Sequence, residues 1–512
     1  MRMRVLMFRA MIVRSVRNVK DRFASSRPGE GVDGRIKSGY DEVGLRAFVL
    51  FAPMSLSKQK FFASPRAQRF FQKRSSFLLS FAFRLGVVFG GVCLWFAADT
   101  AQANLIEEFF PSDIPGYQPD FSASVASRME QQDLSDGVEL GDFVIRPDLT
   151  ESAGYDSNTL GQAKSGSAEI DTNATLQANS DWARNALNVS LNVDNQRYLN
   201  VPAASLTNWS ASAGGSVSLG NDTATIGYSH LALNLAATSL GAFGVATPVP
   251  YTVDDLRASY LKLFGRFSLT PKVEFENYQF GQSGGQDPVS YKALSHRVEL
   301  AGLTGRFESA PGDAVVVILQ PSFAQFSEIP ASNYSDIAGF VGLDAQGPRI
   351  IQYRALLGFE HRSFADHVTP AVTTPTFQFE AIWTPTEIDT VTATAEHELD
   401  DPTSPFARDD DVLDGRVELD HELRQNVFLV GYAAGSRSIA RLSIADAGSV
   451  RQSQLSAGAS AVWNLSRHVS FTTSYGYALN ETTGSTAADA SIVSTANNFS
   501  SNSILIGLRL DD

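Results

Sequence analysis

The stretch that most constrains this chain runs from Asn185 to Asn195, where Leu187, Val189, Leu191 and Val193 alternate with Asn188, Ser190, Asn192 and Asp194. Successive side chains of an extended backbone point to opposite faces, so one face of this segment is apolar and the other polar. A period of two excludes an amphipathic helix. The pattern recurs to the C-terminus in segments of about ten residues, as expected of strands with lipid on one side and water on the other.

Connection length supplies the topology. Short turns rich in Gly, Pro, Asn and Asp, such as Asp181 to Asn185, Gly220 to Asp222, Gly265-Arg266 and Arg424 to Asn426, alternate with long polar stretches. The long stretches include Tyr155 to Ala168, Asn234 to Pro250, Asn277 to Val289, Asp400 to Asp411 and Asn480 to Asn498. Eight short and nine long connections in strict alternation predict eighteen strands once Tyr334 to Ala345 is counted among them. Tyr251 to Phe264 is weakly patterned, and sixteen is the alternative. The expected fold is all-β, a transmembrane antiparallel up-and-down β-barrel.

Charge divides the chain. The formal net charge is −14, but residues 1–103 hold 18 Lys/Arg against 6 Asp/Glu, and residues 104–512 hold 23 against 49. Basic residues from Lys58 to Arg74 precede an apolar run from Leu85 to Ala98, and Ala101-Gln102-Ala103 offers a small-x-small cleavage site. This is the pattern of a charged leader and signal peptide cut after Ala103. The apolar run is shorter than the ~20 residues a spanning helix needs. Cys93, the single cysteine, lies within it, so disulfides do not hold the remainder together. Residues 104–140 are acidic and without strand period, and are expected to form a periplasmic tail; 141–512 form the barrel.

Faces follow from alternation. Phe377, Phe379, Ala381 and Trp383 are expected to face lipid, with Gln378 and Glu380 inward. On Val412 to Leu423, Leu413, Val417, Leu419 and Leu423 point out, while Asp414, Arg416, Glu418, Asp420 and Glu422 point in. Glu274, Glu276, Glu299, Glu360, Glu396 and Glu398 are also placed inward, against Lys272, Arg297, Arg354 and Arg509. Acid outnumbers base among these positions, so a wet lumen should disfavour anions; cross-strand ion pairing that merely fills the barrel is the alternative. Trp182, Trp383 and Trp463 lie in or near short turns, where a periplasmic aromatic girdle is expected.

Tyr155-Asp156-Ser157-Asn158, Ser180-Asp181-Trp182-Ala183-Arg184-Asn185, Trp383-Thr384-Pro385-Thr386, Asp401-Pro402-Thr403 and Asp420-His421-Glu422-Leu423-Arg424-Gln425-Asn426 resemble, in this order, a family of outer-membrane β-barrel porins of proteobacteria. The resemblance covers about Phe143 to Leu510. It implies the outer membrane of a Gram-negative bacterium, the barrel assembly machinery as a partner, and a link to exopolysaccharide export. Arg184-Asn185 departs from the family's usual Arg-His.

No chemistry stands out. The seven histidines match neither a nucleophile triad nor a metal-ligand spacing. His397-Glu398 with Asp400-Asp401 is the nearest cluster, and a solvated acidic loop accounts for it better than calcium. No enzyme activity, cofactor, metal or nucleic-acid partner is expected. The reading is a channel for small hydrophilic, cationic or neutral solutes, with a non-conducting structural or surface-assembly barrel as the alternative.

Overall fold

A computed structural model describes residues 137–511, apart from 163–164, 285–288, 347–349, 367–368, 443–447 and 485–497. The leader, the cleavage site at Ala101 and Ala103 and most of the acidic tail lie outside the described residues. The chain is almost wholly extended. A short β1 (Val138–Leu140) is followed by β2 (Phe143–Asp156), β3 (Ser167–Ser180), β4 (Asn185–Tyr198), β5 (Leu206–Leu219), β6 (Asp222–Leu235), β7 (Val249–Phe264), β8 (Phe267–Phe280) and β9 (His296–Ala310). Then come β10 (Asp313–Phe326), β11 (Tyr334–Ala345), β12 (Ile351–Phe364), β13 (Val372–Thr386), β14 (Asp389–Asp400), β15 (Ala407–Arg424), β16 (Val427–Leu442), β17 (Ser449–Asn464), β18 (Val469–Gly484) and β19 (Phe499–Asp511).

From β2 onward each strand pairs antiparallel with its sequence neighbours, and β19 returns to β2, placing Ile506 opposite Ala153 and Leu510 opposite Leu149. The result is a closed barrel of 18 strands. Closure removes the unpaired edges that an open sheet would expose in lipid. The small β1 hairpins onto β2, with Leu140 opposite Phe143, so the last residues assigned to the tail belong to the sheet.

The sixteen-strand alternative fails at β7, which pairs along most of its length with β6 and β8. Its pattern is weak for a physical reason. Val249, Tyr251 and Val253 face inward yet are buried, because this part of the inner wall is covered by protein rather than water. The connection before β9 is also longer than expected, ending at Ser295 rather than Val289. Tyr291 and Leu294 look like strand residues in the sequence, but they are buried around a 3-10 turn, Lys292–Leu294.

Many outward apolar side chains are widely exposed. Leu357 and Phe359 on β12 are each 68% exposed, and Val341 on β11 and Phe323 on β10 more than half. In water such a surface would be an aggregation site; against lipid it is the expected solution.

Candidate functional site: a loop across the lumen

The connection from β6 to β7, residues 236–248, does not project from the barrel. Its backbone is held by the opposite wall. Gln452 on β17 accepts a hydrogen bond from Gly241 N at 2.8 Å, and Gln454 donates to the Thr238 carbonyl at 3.1 Å. Phe243 packs with Ala407, Ala440, Leu442 and Val450 of β15, β16 and β17. On an 18-strand ring β15 lies nine strands from β6 in either direction, so these contacts can be made only through the interior.

The same contacts identify the inner face. Gln452 and Gln454 point inward, and residues directly opposite on adjacent strands share a face. Ser438 and Ser436 on β16, and Val412 and Asp414 on β15, are therefore inward too. At its root the loop rests on an apolar patch of the inner wall made of Leu231, Leu233 and Leu235 on β6 and Val249, Tyr251 and Val253 on β7. Gly241 has φ +72°, and a β-carbon there would run into the Thr403 hydroxyl and the Asp410 carboxylate. Glycine is thus required twice over, for backbone conformation and for close approach.

A second loop fastens the first. Residues 401–406, between β14 and β15, turn into the mouth, and Asp401 is gripped there. Tyr334 donates its hydroxyl to Asp401 at 2.7 Å, His296 Nε2 lies 2.9 Å from the carboxylate and Arg362 3.6 Å from it. Arg362 also pairs with Asp336 at 2.9 Å, donates to the Leu399 and Asp400 carbonyls, and lies 4.0 Å over the Tyr334 ring. The His296 ring is stacked between Tyr278 and Phe326, and its Nδ1 meets the Leu294 carbonyl at 2.6 Å. Burial alone would raise the Asp401 pKa, but the charges of His296 and Arg362 and the hydrogen bonds outweigh it and hold the carboxyl at about 2. From Asp401 the grip passes on: Ser404 donates to the Phe243 carbonyl at 3.1 Å, and Thr403 reaches the Leu240 carbonyl at 3.4 Å. Asp400-Asp401 is therefore not a solvated acidic loop. Its partners lie on strands up to five places away, a proximity that only ring closure creates.

The residues expected to line the lumen mostly share the inner face. Glu274 and Glu276 on β8, Arg354 on β12, Glu380 on β13 and Glu396 on β14 lie opposite inward partners, as do Asp414, Arg416, Glu418, Asp420 and Glu422 on β15. Glu299 does not. It lies opposite Phe275 and Phe323, whose side chains are exposed on the outer wall, and Arg297 shares its side. The neighbouring Val298 and Leu300, although apolar, lie opposite Glu276 and Glu274. They point inward, where Val298 packs against Ala324, Phe326, Tyr334 and Phe364.

Many lumen charges are paired. Arg257, on weakly patterned β7 and missed in the sequence, reaches Asp255 at 2.7 Å, Glu274 at 2.6 Å and Glu276 at 3.6 Å. Asp344 lies between Arg306 and Arg354, Arg509 pairs with Asp148, and Arg416 bonds Glu418 while lying 4.2 Å over Tyr432. Carboxylates still predominate on β14 and β15, where Glu396 stands directly opposite Asp414. Opposed like charges are costly in a dry interior.

The described histidines have structural partners: His230 meets Asp254, His361 Thr373, His397 Asp411, His421 Asp389 and His468 the Asp511 carbonyl. Trp182, Trp383 and Trp463 are each exposed, in or within four residues of a short turn.

A family model described as "Putative beta-barrel porin 2" matches residues 135–511. Among solved structures the chain is similar to OccAB3 of Acinetobacter baumannii, at 9% identity over 73% of this chain and 100% of that one, with a TM-score of 0.39. It is similar also to the outer membrane protein opdK of Pseudomonas aeruginosa, at 11% identity over 72% and 99%, TM-score 0.39. OccK3 (OpdO) of the same organism gives 11% identity over 75% and 98%, TM-score 0.39. No curated protein matches the sequence. Because the family match spans every strand of the barrel, this chain belongs to the beta-barrel porin 2 family and is a porin-like barrel of the Gram-negative outer membrane.

Proposed function

We propose that the barrel is a passive channel for small hydrophilic solutes, favouring cations and neutral molecules over anions, with residues 236–248 as its constriction. The supporting observation is the inner face of β14 and β15, where Glu396, Asp414, Glu418 and Glu422 present carboxylates, with Asp420 buried among them, on strands whose outer face is largely apolar. A wall packed against protein has no use for that row, whereas a wall in contact with water and mobile cations carries it at little cost. Trp182, Trp383 and Trp463 would then anchor the periplasmic interface.

Single-channel recording with an ion-selectivity measurement tests the proposal. Changing Glu418, Asp420 and Glu422 together to Gln, Asn and Gln should leave assembly intact and lower cation preference, most at low ionic strength, where the Debye length exceeds the roughly 8 Å of physiological salt. Unchanged selectivity in a folded variant would remove this wall from the path. The loop across the lumen favours a second reading, a structural barrel that does not conduct, and a purified barrel that never opens would establish it. The narrower link to exopolysaccharide export predicts less surface polymer when the gene is deleted.

A further inference from the structure

Beside the constriction, the inner faces of β3, β4 and β5 and the root of the luminal loop enclose a pocket of about 420 Å3, within the usual range of roughly 300 to 1,000 Å3 for small-molecule sites. Its polar wall is Asp171, Asn173, Asn192, Asp194, Gln196 and Asn208. Strand register sets these out as a lattice: Asp171 opposite Gln196, Asn173 opposite Asp194, and Asp194 opposite Asn208. Carboxylates and amides therefore alternate at about 4.8 Å across strands and nearly 7 Å along them.

The hydrogen bonds orient the amides. Asn208 Oδ1 accepts from the backbone and side-chain nitrogens of Asn234 at 2.9 and 3.1 Å, and Asn192 Oδ1 accepts from Thr175 at 3.2 Å. Asn192 and Asn208 thus keep their NH2 groups as donors, Gln196 gives one N–H to Asp194 at 3.4 Å, and Asp171 and Asp194, which hydrogen-bond each other, retain acceptor oxygens. Neither lysine nor arginine lines the pocket, so an anion would meet two carboxylates and no counter-charge. A bare cation would use the acceptors and leave the donors idle. A ring of vicinal hydroxyls, each donating and accepting, uses both, and Leu160, Tyr198, Leu206 and Pro248 offer an apolar surface to its C–H face.

We propose that this pocket is a subsite for a sugar ring, uncharged or carrying an amino group, on the path through the barrel. The proposal rests on the channel reading and names its solute class. Its hydrogen bonds replace those to water, so binding is weak, and a solute that must leave again requires that.

The test is calorimetry of the full chain, refolded in detergent, with glucose, glucosamine and glucuronate, alongside single-channel recording with the same sugars. Glucosamine should bind more tightly than glucose, and glucuronate at least about tenfold more weakly. Asn173→Ala with Asn192→Ala should weaken both favoured sugars about tenfold, as expected for two lost hydrogen bonds. Asp171→Asn with Asp194→Asn should abolish the preference for glucosamine and retain glucose. Heat-modifiable migration on a gel confirms that each variant is folded. Equal or tighter binding of glucuronate, absence of sugar binding, or indifference to the Asn variants would overturn the subsite. Conductance without sugar binding rejects the subsite and leaves the channel; sugar binding without conductance does the reverse.

Discussion

At the scale of single residues, the mouth of the barrel depends on Asp401 and Gly241. The Asp401 carboxyl is held at about 2, below the roughly 3.9 of an unfolded aspartate. Its contacts with His296, Tyr334 and Arg362, the last also bound to Asp336 and Glu360, are therefore complete above about pH 4 and lost as pH falls through about 2. Pepsin, active throughout that interval, should begin to cleave near Phe406 only at its lower end, and should cleave Asp401→Asn at both ends; fragment mapping reads the difference. Gly241→Ala should leave the barrel folded but displace the loop tip from Gln452, because Thr403 and Asp410 occupy the space a β-carbon needs. A larger single-channel current than wild type is expected, and an unchanged current would show that the tip does not narrow the path. Gly241 was not conspicuous in the sequence, and Asp401, although part of the Asp401-Pro402-Thr403 motif and of the nearest acidic cluster, carried no sign of its buried partners. Asp401 stood among other acids in a loop and Gly241 among other loop residues, and only their distant neighbours distinguish them.

At the scale of the strand, alternation was the most informative signal. On β4, Leu191 lies opposite Leu176 and Ala211 on the outer face, and Asn192 opposite Thr175 and Ser210 on the inner one. Arg in place of Leu191 should cost about 2 to 4 kcal/mol in lipid, whereas Arg in place of Asn192 should cost little. Urea titrations of the two variants in the same vesicles would measure this, and equal midpoints would contradict the face assignment. Alternation failed on β9 and β7 for related reasons. On both, part of the inner wall is covered by loops and neighbouring side chains, so Val298, Leu300, Val249 and Val253 are apolar and inward. Polarity reports whether a side chain meets water, and it reports direction only where the lumen is wet.

At the scale of the molecule, strict alternation of short and long connections places all short turns at one end of the barrel. With those turns in the periplasm, an epitope tag inserted after Ala331, in the β10–β11 connection, should be labelled on intact cells. One inserted between Gly220 and Asn221 should require permeabilised cells. The opposite result would invert the barrel. A further tag within residues 236–248 should remain unlabelled on intact cells although it belongs to a long connection, since that segment is folded into the lumen and held by Gln452 and Gln454.

Taken alone, the sequence determined that the chain forms strands, where most of them turn, and which side of most strands meets lipid. These are local properties, set by alternation along one backbone and by the residues that permit turns. The strand count became certain only when β19 met β2, because closure is a pairing between the two ends of the barrel sequence. The luminal loop, the grip on Asp401 and the pocket on β3 to β5 likewise belong to the tertiary structure. Each joins residues that are tens to hundreds of positions apart, such as Gly241 and Gln452 or His296 and Asp401. Period and turn chemistry describe a strand and its immediate neighbours; what crosses the interior is decided by the ring that encloses it.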